Sequence, residues 1–278
     1  MGNTAWQQRI RRAEALAAQY PFAAEVLRFY IHVARFQQEM YNRLDGSAGA
    51  CPERSPRVPP ALRRTSRPLP DLQDTPAVLL GAFPEFLALV EKHGPNQLAQ
   101  VARELRAESP DAHGELFNAV WSSGGESPSS PEEFLAFAYL QPQAEYDRIC
   151  ANLQLEGYTG SLCPFCNRKP AVAVLRPLGD GGRRNLLCGF CMAEWEFRRI
   201  VCPGCGEENH AKLPVYTASE LPHIRVECCD TCHSYIKCID LTKTGLADPL
   251  VDELASIPLN LWAQERGYAK LQLNLLGM

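Results

Sequence analysis

Four Cys-x-x-Cys pairs lie between residues 163 and 232: Cys163-Pro-Phe-Cys166, Cys188-Gly-Phe-Cys191, Cys202-Pro-Gly-Cys205 and Cys229-Asp-Thr-Cys232. A two-residue loop lets both sulfurs face one ion, and a second such loop brought alongside completes a tetrahedral set. Residues 167–187 separate the first two pairs and 206–228 the last two, enough in each case for a few short strands that bring the loops together. Pairing in chain order gives one site of Cys163, Cys166, Cys188 and Cys191 and a second of Cys202, Cys205, Cys229 and Cys232. A crossed arrangement, first pair with third and second with fourth, needs longer excursions. Four thiolates leave no open position for water, so the chemistry indicated is structural or electron-carrying rather than hydrolytic. Tetrahedral sulfur sites accept zinc or iron, and the ligand set alone does not choose between them.

Disulfides are the competing use of so many cysteines. They suit small secreted domains, whereas 278 residues with 46% hydrophobic content can bury a core without staples. A thioredoxin-like redox pair would be a lone Cys-x-x-Cys beside a βαβ pattern, not four in a row. Loops of this kind need positive φ just after the second cysteine. Gly206 and Asn167 suit that position, His233 tolerates it and Met192 fits it poorly. Phe165, Phe190, Trp195 and Phe197 are placed to shield the sulfurs from water. A four-thiolate site with a divalent ion carries two negative charges, which Arg168, Lys169, Arg183, Arg184, Arg198 and Arg199 are expected to offset in part.

No catalytic constellation accompanies these pairs: there is no Gly-rich phosphate loop, no G-x-S-x-G and no H-E-x-x-H. His32 lies on a helical pattern and reads as a surface or core residue, while His210 and His233 stand close enough to the cysteines to serve as outer donors. Cys51, Cys150, Cys228 and Cys238 are left over, and the plain reading of each is a small buried hydrophobe. Cys228 adjoins Cys229, but only Cys229 has the ligand spacing. A formal charge of −4 and a pI near 5.9 argue against a nucleic-acid partner. Met1 to Tyr20 contain no unbroken apolar run, so neither a signal peptide nor a membrane anchor is expected, and the compartment indicated is reducing cytoplasm.

The elements that must carry the sulfurs divide the chain in two. Residues 4 to 155 read as helical. Trp6, Ile10, Ala13 and Ala17 mark one apolar face, and Phe22, Val26, Phe29, Val33, Phe36 and Met40 a second. Further helices are expected near 83–92, 95–107, 111–121, 131–140 and 142–155, with Pro84, Pro95, Pro131 and Pro142 near their starts. A Pro/Arg-rich stretch at 46–76 interrupts the pattern and reads as an exposed extended loop. From Gly157 onward short strands take over. Ala171–Leu175 is one, Gly179-Asp-Gly-Gly182 a hairpin turn, and Ile224-Arg-Val226 another strand. A closing helix is expected over 249–268, bent or broken at Pro258, with Leu250, Leu254, Ile257 and Leu261 on one face. The fold class is therefore α+β: an all-α domain over 1–156, then a metal module at 157–200 and a second at 201–278 with its closing helix.

These features together resemble one family. Gly160-Ser-Leu-Cys163-Pro-x-Cys166, Cys188-x-x-Cys191-x-x-Glu194-Trp195, Cys202-Pro-x-Cys205-Gly206, Cys229-x-x-Cys232 followed by Tyr235-Ile-Lys237, and Asp252-Glu-Leu-Ala are similar in order and spacing to the bacterial formate dehydrogenase accessory protein FdhE. The helical half matches in organisation and in the Pro59-Pro60 element. The resemblance implies two rubredoxin-like (zinc-ribbon-like) modules, iron in the cysteine sites with zinc as the alternative, and a cytoplasmic accessory protein that is not an enzyme. It further implies binding to the immature formate dehydrogenase catalytic subunit, with a homodimer compatible. By motif match all eight paired cysteines carry over as ligands. A rubredoxin-like electron carrier is the second reading of the same sulfurs, and a zinc-ribbon nucleic-acid binder, disfavoured by the charge, the third.

Overall fold

The computed structural model describes residues 2–47, 81–124, 127–152, 155, 157–274 and 277. Beyond residue 47, the Pro/Arg-rich stretch expected at 46–76 lies outside them, as does Cys51.

The first half is helical. Helices α1 (Gly2–Gln19) and α2 (Ala24–Ser47) pack along each other, and α3 (Phe83–His93), α4 (Asn96–Arg106), α5 (Pro110–Ser122) and α6 (Pro131–Ala151) follow. The stripe on α2 begins one turn later than its apolar residues suggest. Pro21–Ala23 form a 3-10 turn that leaves Phe22 51% exposed, and Leu27, Tyr30, Ala34 and Tyr41 join Phe29, Val33 and Met40 in the core. Ser109 caps α5 by accepting from the Ala112 amide, and Ser130 caps α6 by accepting from that of Glu133.

Pro142 does not begin a helix. The two helices expected at 131–140 and 142–155 are one, running unbroken from Pro131 to Ala151. Proline removes the amide that would bond the carbonyl four residues back, here Ala138. Gln37 on α2 replaces it: its Nε2 donates to Ala138 O at 2.6 Å and to Gln141 Oε1 at 2.8 Å. Every residue from Leu135 to Asp147 is buried, so packing on all sides holds the helix through the proline. Asn152, in the left-handed region at φ +41°, ends it.

The second half is built on one sheet. Strands β1 (Val172–Leu178), β2 (Gly181–Leu187), β3 (Glu194–Glu196), β4 (Val215–Thr217), β5 (Ile224–Cys229) and β6 (Ser234–Asp240) lie in the order β3-β2-β1-β6-β5-β4, and β7 (Ala269–Lys270) pairs the start of β6. The β1–β2 hairpin turns at Gly179-Asp180, with Leu178 opposite Gly181 and Gly179 at φ +53°. Parallel pairing of Ala173, Val174 and Leu175 with Cys238, Ile239 and Asp240 joins the strands of the two cysteine-bearing segments. The closing helix is broken, as expected, into α7 (Pro249–Ala255) and α8 (Ile257–Glu265), but the break falls at Ser256 rather than Pro258, which sits in the first turn of α8. Leu250 and Leu254 are buried as expected, but the break rotates Leu261 outward, where it is 55% exposed.

One core cluster runs from the helices into the first cysteine site, and a second fills the space between the sheet and α7 and α8. Buried ion pairs tie the halves together. Arg9 on α1 forms a two-pronged pair with Glu145 on α6 at 2.9 and 3.1 Å. Arg12 reaches Asp252 on α7, which also meets His223 Nε2 at 2.8 Å. Lys237 on β6, wholly buried, lies 2.8 Å from Glu253, whose carboxylate also takes Lys270 and Asn274. Burial brings the Lys237 amine down to about 8 against the pull of Glu253.

Candidate metal centres

The eight cysteines gather in chain order into two sets. Within Cys163, Cys166, Cys188 and Cys191, and within Cys202, Cys205, Cys229 and Cys232, all sulfurs lie within 4.8 Å of one another. Cys163–Cys191 and Cys166–Cys188 are both 3.4 Å apart, Cys202–Cys232 3.7 Å and Cys205–Cys229 3.6 Å. A tetrahedron of sulfurs at ~2.3 Å from a central ion has edges of ~3.8 Å, whereas a disulfide would bring two sulfurs to ~2.05 Å. Either set could hold a metal ion.

The loops that aim the sulfurs share one backbone plan. The amide of the first cysteine donates to the carbonyl five residues on, from Cys163 to Arg168, Cys188 to Ala193 and Cys202 to Glu207, and Cys229 faces Ser234 in the β5–β6 ladder. Closing that loop requires a left-handed residue after the second cysteine. Asn167, Met192, Gly206 and His233 have φ of +60°, +59°, +80° and +53°. Met192, the poor fit by residue type, adopts it as well, its sulfur accepting from Gln141 Nε2 at 3.6 Å.

The sulfurs receive backbone amides, Cys163 from Cys166, Cys188 from Phe190 and Cys202 from Gly204, at 3.3–3.5 Å. Ser234 adds a hydroxyl 3.0 Å from the Cys232 sulfur. Such contacts favour the thiolate. Burial pushes the Cys163 and Cys191 thiols well up; Cys205, although at the surface, is raised to about 12 by partial desolvation within the cluster and by the thiols of Cys232, Cys229 and Cys202. Burial also pushes Cys232 up, but the Ser234 hydroxyl and amide and the neighbouring thiols outweigh it and bring it down to about 7.

The two sites differ in access. All four cysteines of the first are buried, in one core cluster with Phe165, Phe190, Trp195 and Phe197, whereas Cys205 and Cys232 of the second reach the surface. The helical half closes over the first site. Gln141 Nε2 donates to Gly189 O and Arg148 Nε to Cys191 O, while Phe137 and Trp121 pack on Phe190. Sequence reasoning missed this clamp; Gln141 and Arg148 stand two turns apart on one helix face, but nothing in that spacing points to a loop far downstream.

Five of the six basic residues expected around the sulfurs have other partners, while Lys169 lines a small cavity with Cys188 and Gly189. Arg184 holds Glu227 at 2.6 Å, Arg198 pairs Glu208, Arg183 lies 3.7 Å from Glu196, and Arg199 donates to Gly182 O. Arg168 is buried, donates to Val120 O and stacks 4.3 Å over Phe190. His210 and His233 are exposed; the His210 carbonyl accepts from Leu213 N, and the His233 ring lies 6.3 Å from that of Tyr268. His32 stacks on His93 at 3.8 Å. Cys228 turns to the opposite sheet face from Cys229 and is buried there, and Cys238 is buried too. Cys150, half-buried at the end of α6, is disulfide-bonded rather than a small buried hydrophobe.

The profile described as "FdhE, central domain" matches residues 162–199, which hold the first site, and that described as "FdhE, C-terminal domain" matches 200–276, which hold the second. The crystal structure of the FdhE protein from Pseudomonas aeruginosa superposes with a TM-score of 0.69 at 25% identity, over 99% of this chain and 96% of that one. Residues 162–276 of this chain thus match FdhE domains from end to end. An FdhE homologue of Aquifex aeolicus is 27% identical over 269 residues, 96% of this chain and 94% of the relative. One of Haemophilus influenzae is 34% identical over 113 residues, 40% of this chain and 37% of the relative. No described helix is long and apolar enough to cross a membrane.

Proposed function

We propose that this protein is a cytoplasmic, non-enzymatic accessory factor for assembly or activation of formate dehydrogenase, and that it binds the immature catalytic subunit of that enzyme. The observation that carries the reading is the pair of closed four-sulfur sets in residues that match FdhE domains. The eight cysteines are the metal ligands in this reading, iron the metal in the cell and zinc an acceptable substitute. A bound ion adds fold stability and, if iron, one-electron chemistry; the amides on the sulfurs would tune its potential. The chain's own residues then do the rest. Residues 1–156 form the helical part whose Gln141 and Arg148 fix the second loop of the first site, and 157–200 and 201–278 are the two metal modules.

Electron carriage is the alternative, favoured by the surface position of Cys205 and Cys232, which would leave a second-site iron open to a redox partner. Deletion of the gene followed by a formate dehydrogenase assay separates these. The accessory reading requires lost activity with the catalytic subunit still synthesised; unchanged activity would remove it.

A further inference from the structure

The outer edge of β4 has no role in either cysteine set, and the cavity beside it borders the second one through Cys202 and Cys229. Cys228 N donates to Pro214 O and Asp230 N to Lys212 O, both at 2.9 Å, and Val215 stands opposite Glu227. In an antiparallel ladder bonded residues alternate, so Tyr216 faces β5 and the N–H and C=O groups of Val215 and Thr217 point outward. Among the described residues no strand pairs that edge.

The side chains along the edge are as open as its backbone. Val215 is 55% exposed, Tyr216 38%, and Ile200, across the cavity, 58%. Val215, Ile200, Leu213, Ile236 and Leu271 are among the apolar residues lining a cavity of about 190 Å³ on the sheet face that carries Arg225 and Glu227. On the other face Tyr216 packs on Trp262, ring centres 4.6 Å apart. A strand added to β4 would drop alternate side chains into the cavity and onto Tyr216.

The cavity's charge names what that strand should carry. Arg184, Arg199, Arg225 and His210 line it with one carboxylate, Glu227, which Arg184 already holds at 2.6 Å, and with Cys202 and Cys229 of the second cysteine set. Arg225 is paired with Asp240 at 2.5 Å. Arg199 donates to the Gly182 carbonyl and meets no carboxylate among the described residues. It is the guanidinium available to an incoming acid.

We infer that the β4 edge binds an extended segment of the client polypeptide by strand addition, with an apolar residue seated in the cavity and an acidic residue on Arg199. This rests on the client-binding reading above and specifies where and by what chemistry the client is held.

The test measures affinity between the full-length metal-loaded protein and cofactor-free formate dehydrogenase catalytic subunit. Val215→Lys, Ile200→Asp and Arg199→Glu are compared with Leu246→Asp, a change at an 86% exposed apolar residue outside the cavity. Each of the first three should weaken binding about tenfold or more, with metal content and circular dichroism unchanged, while Leu246→Asp leaves affinity as it was. Parental affinity in all three edge variants would overturn the proposal and leave client binding intact. Absence of binding by the parent protein would remove both. Loss of a dimer in Val215→Lys at unchanged client affinity would give the edge to a second copy of this chain, and also overturns it.

Discussion

Gln37 Nε2 donates to Ala138 O at 2.6 Å, the carbonyl that Pro142 leaves without a helical donor. Both groups are buried, so neither can turn to water instead. Gln37→Leu should cost about 1–3 kcal/mol by orphaning that carbonyl. In a Pro142→Ala background, where the alanine supplies its own amide, the same change should cost less. Urea unfolding of the four proteins of this double-mutant cycle gives the coupling directly, and equal costs in both backgrounds would show that Gln37 acts through packing alone.

The two centres should differ in how deeply their loss is felt. The first lies in the core that continues from the helices, while the second has Cys205 at the surface. Cys188→Ser should therefore lower the main thermal transition more than Cys205→Ser, each variant losing one of two metal equivalents by elemental analysis. Equal shifts would contradict the clamp that Gln141 and Arg148 place on the first site.

Arg9 and Glu145 bury a two-pronged ion pair that joins α1 to α6. Arg9→Met strands the Glu145 carboxylate, a loss of about 3–5 kcal/mol. Arg9→Met with Glu145→Leu should recover most of it. Denaturant midpoints of single and double variants decide the point.

Acid should act through Glu253. Burial alone would push its carboxyl up, but Lys237 and Lys270 hold it down to about 2 from an ordinary 4.5. A carboxyl with a depressed folded-state value stabilises fully above its unfolded value and loses that contribution as pH falls through the folded one. Stability should thus decline between about pH 4.5 and 2. Acid also protonates any cysteine thiolates that hold metal, so the readout is the difference between parent and Glu253→Gln. The variant should be less stable at neutral pH and lose less on acidification.

Much of the site was legible because its constraint is local. A Cys-x-x-Cys loop fixes sulfur direction within four residues, and the need for positive φ at Asn167, Gly206 and His233 follows from the same turn. Met192 shows that loop closure overrides residue preference, a cost of about 1 kcal/mol absorbed by the loop it completes. What escaped sequence reading depends on distant partners. Pro142 looks like a helix start until Gln37, far earlier in the chain, supplies the missing donor. The parallel pairing of β1 with β6 is invisible because each strand reads alike with any edge neighbour. The arginines near the cysteines suggested charge compensation by proximity in sequence, whereas carboxylates and carbonyls brought in by the fold claim most of them.

The most direct test of the account is anaerobic purification of the tagged protein from cells making formate dehydrogenase, followed by identification of what elutes with it and measurement of its metal. The account predicts the catalytic subunit in the eluate, about two metal equivalents per chain, and loss of the subunit when Cys202 or Cys188 is replaced by serine. Recovery of the protein alone, loaded with iron that cycles between two oxidation states, would contradict client binding and leave an electron carrier.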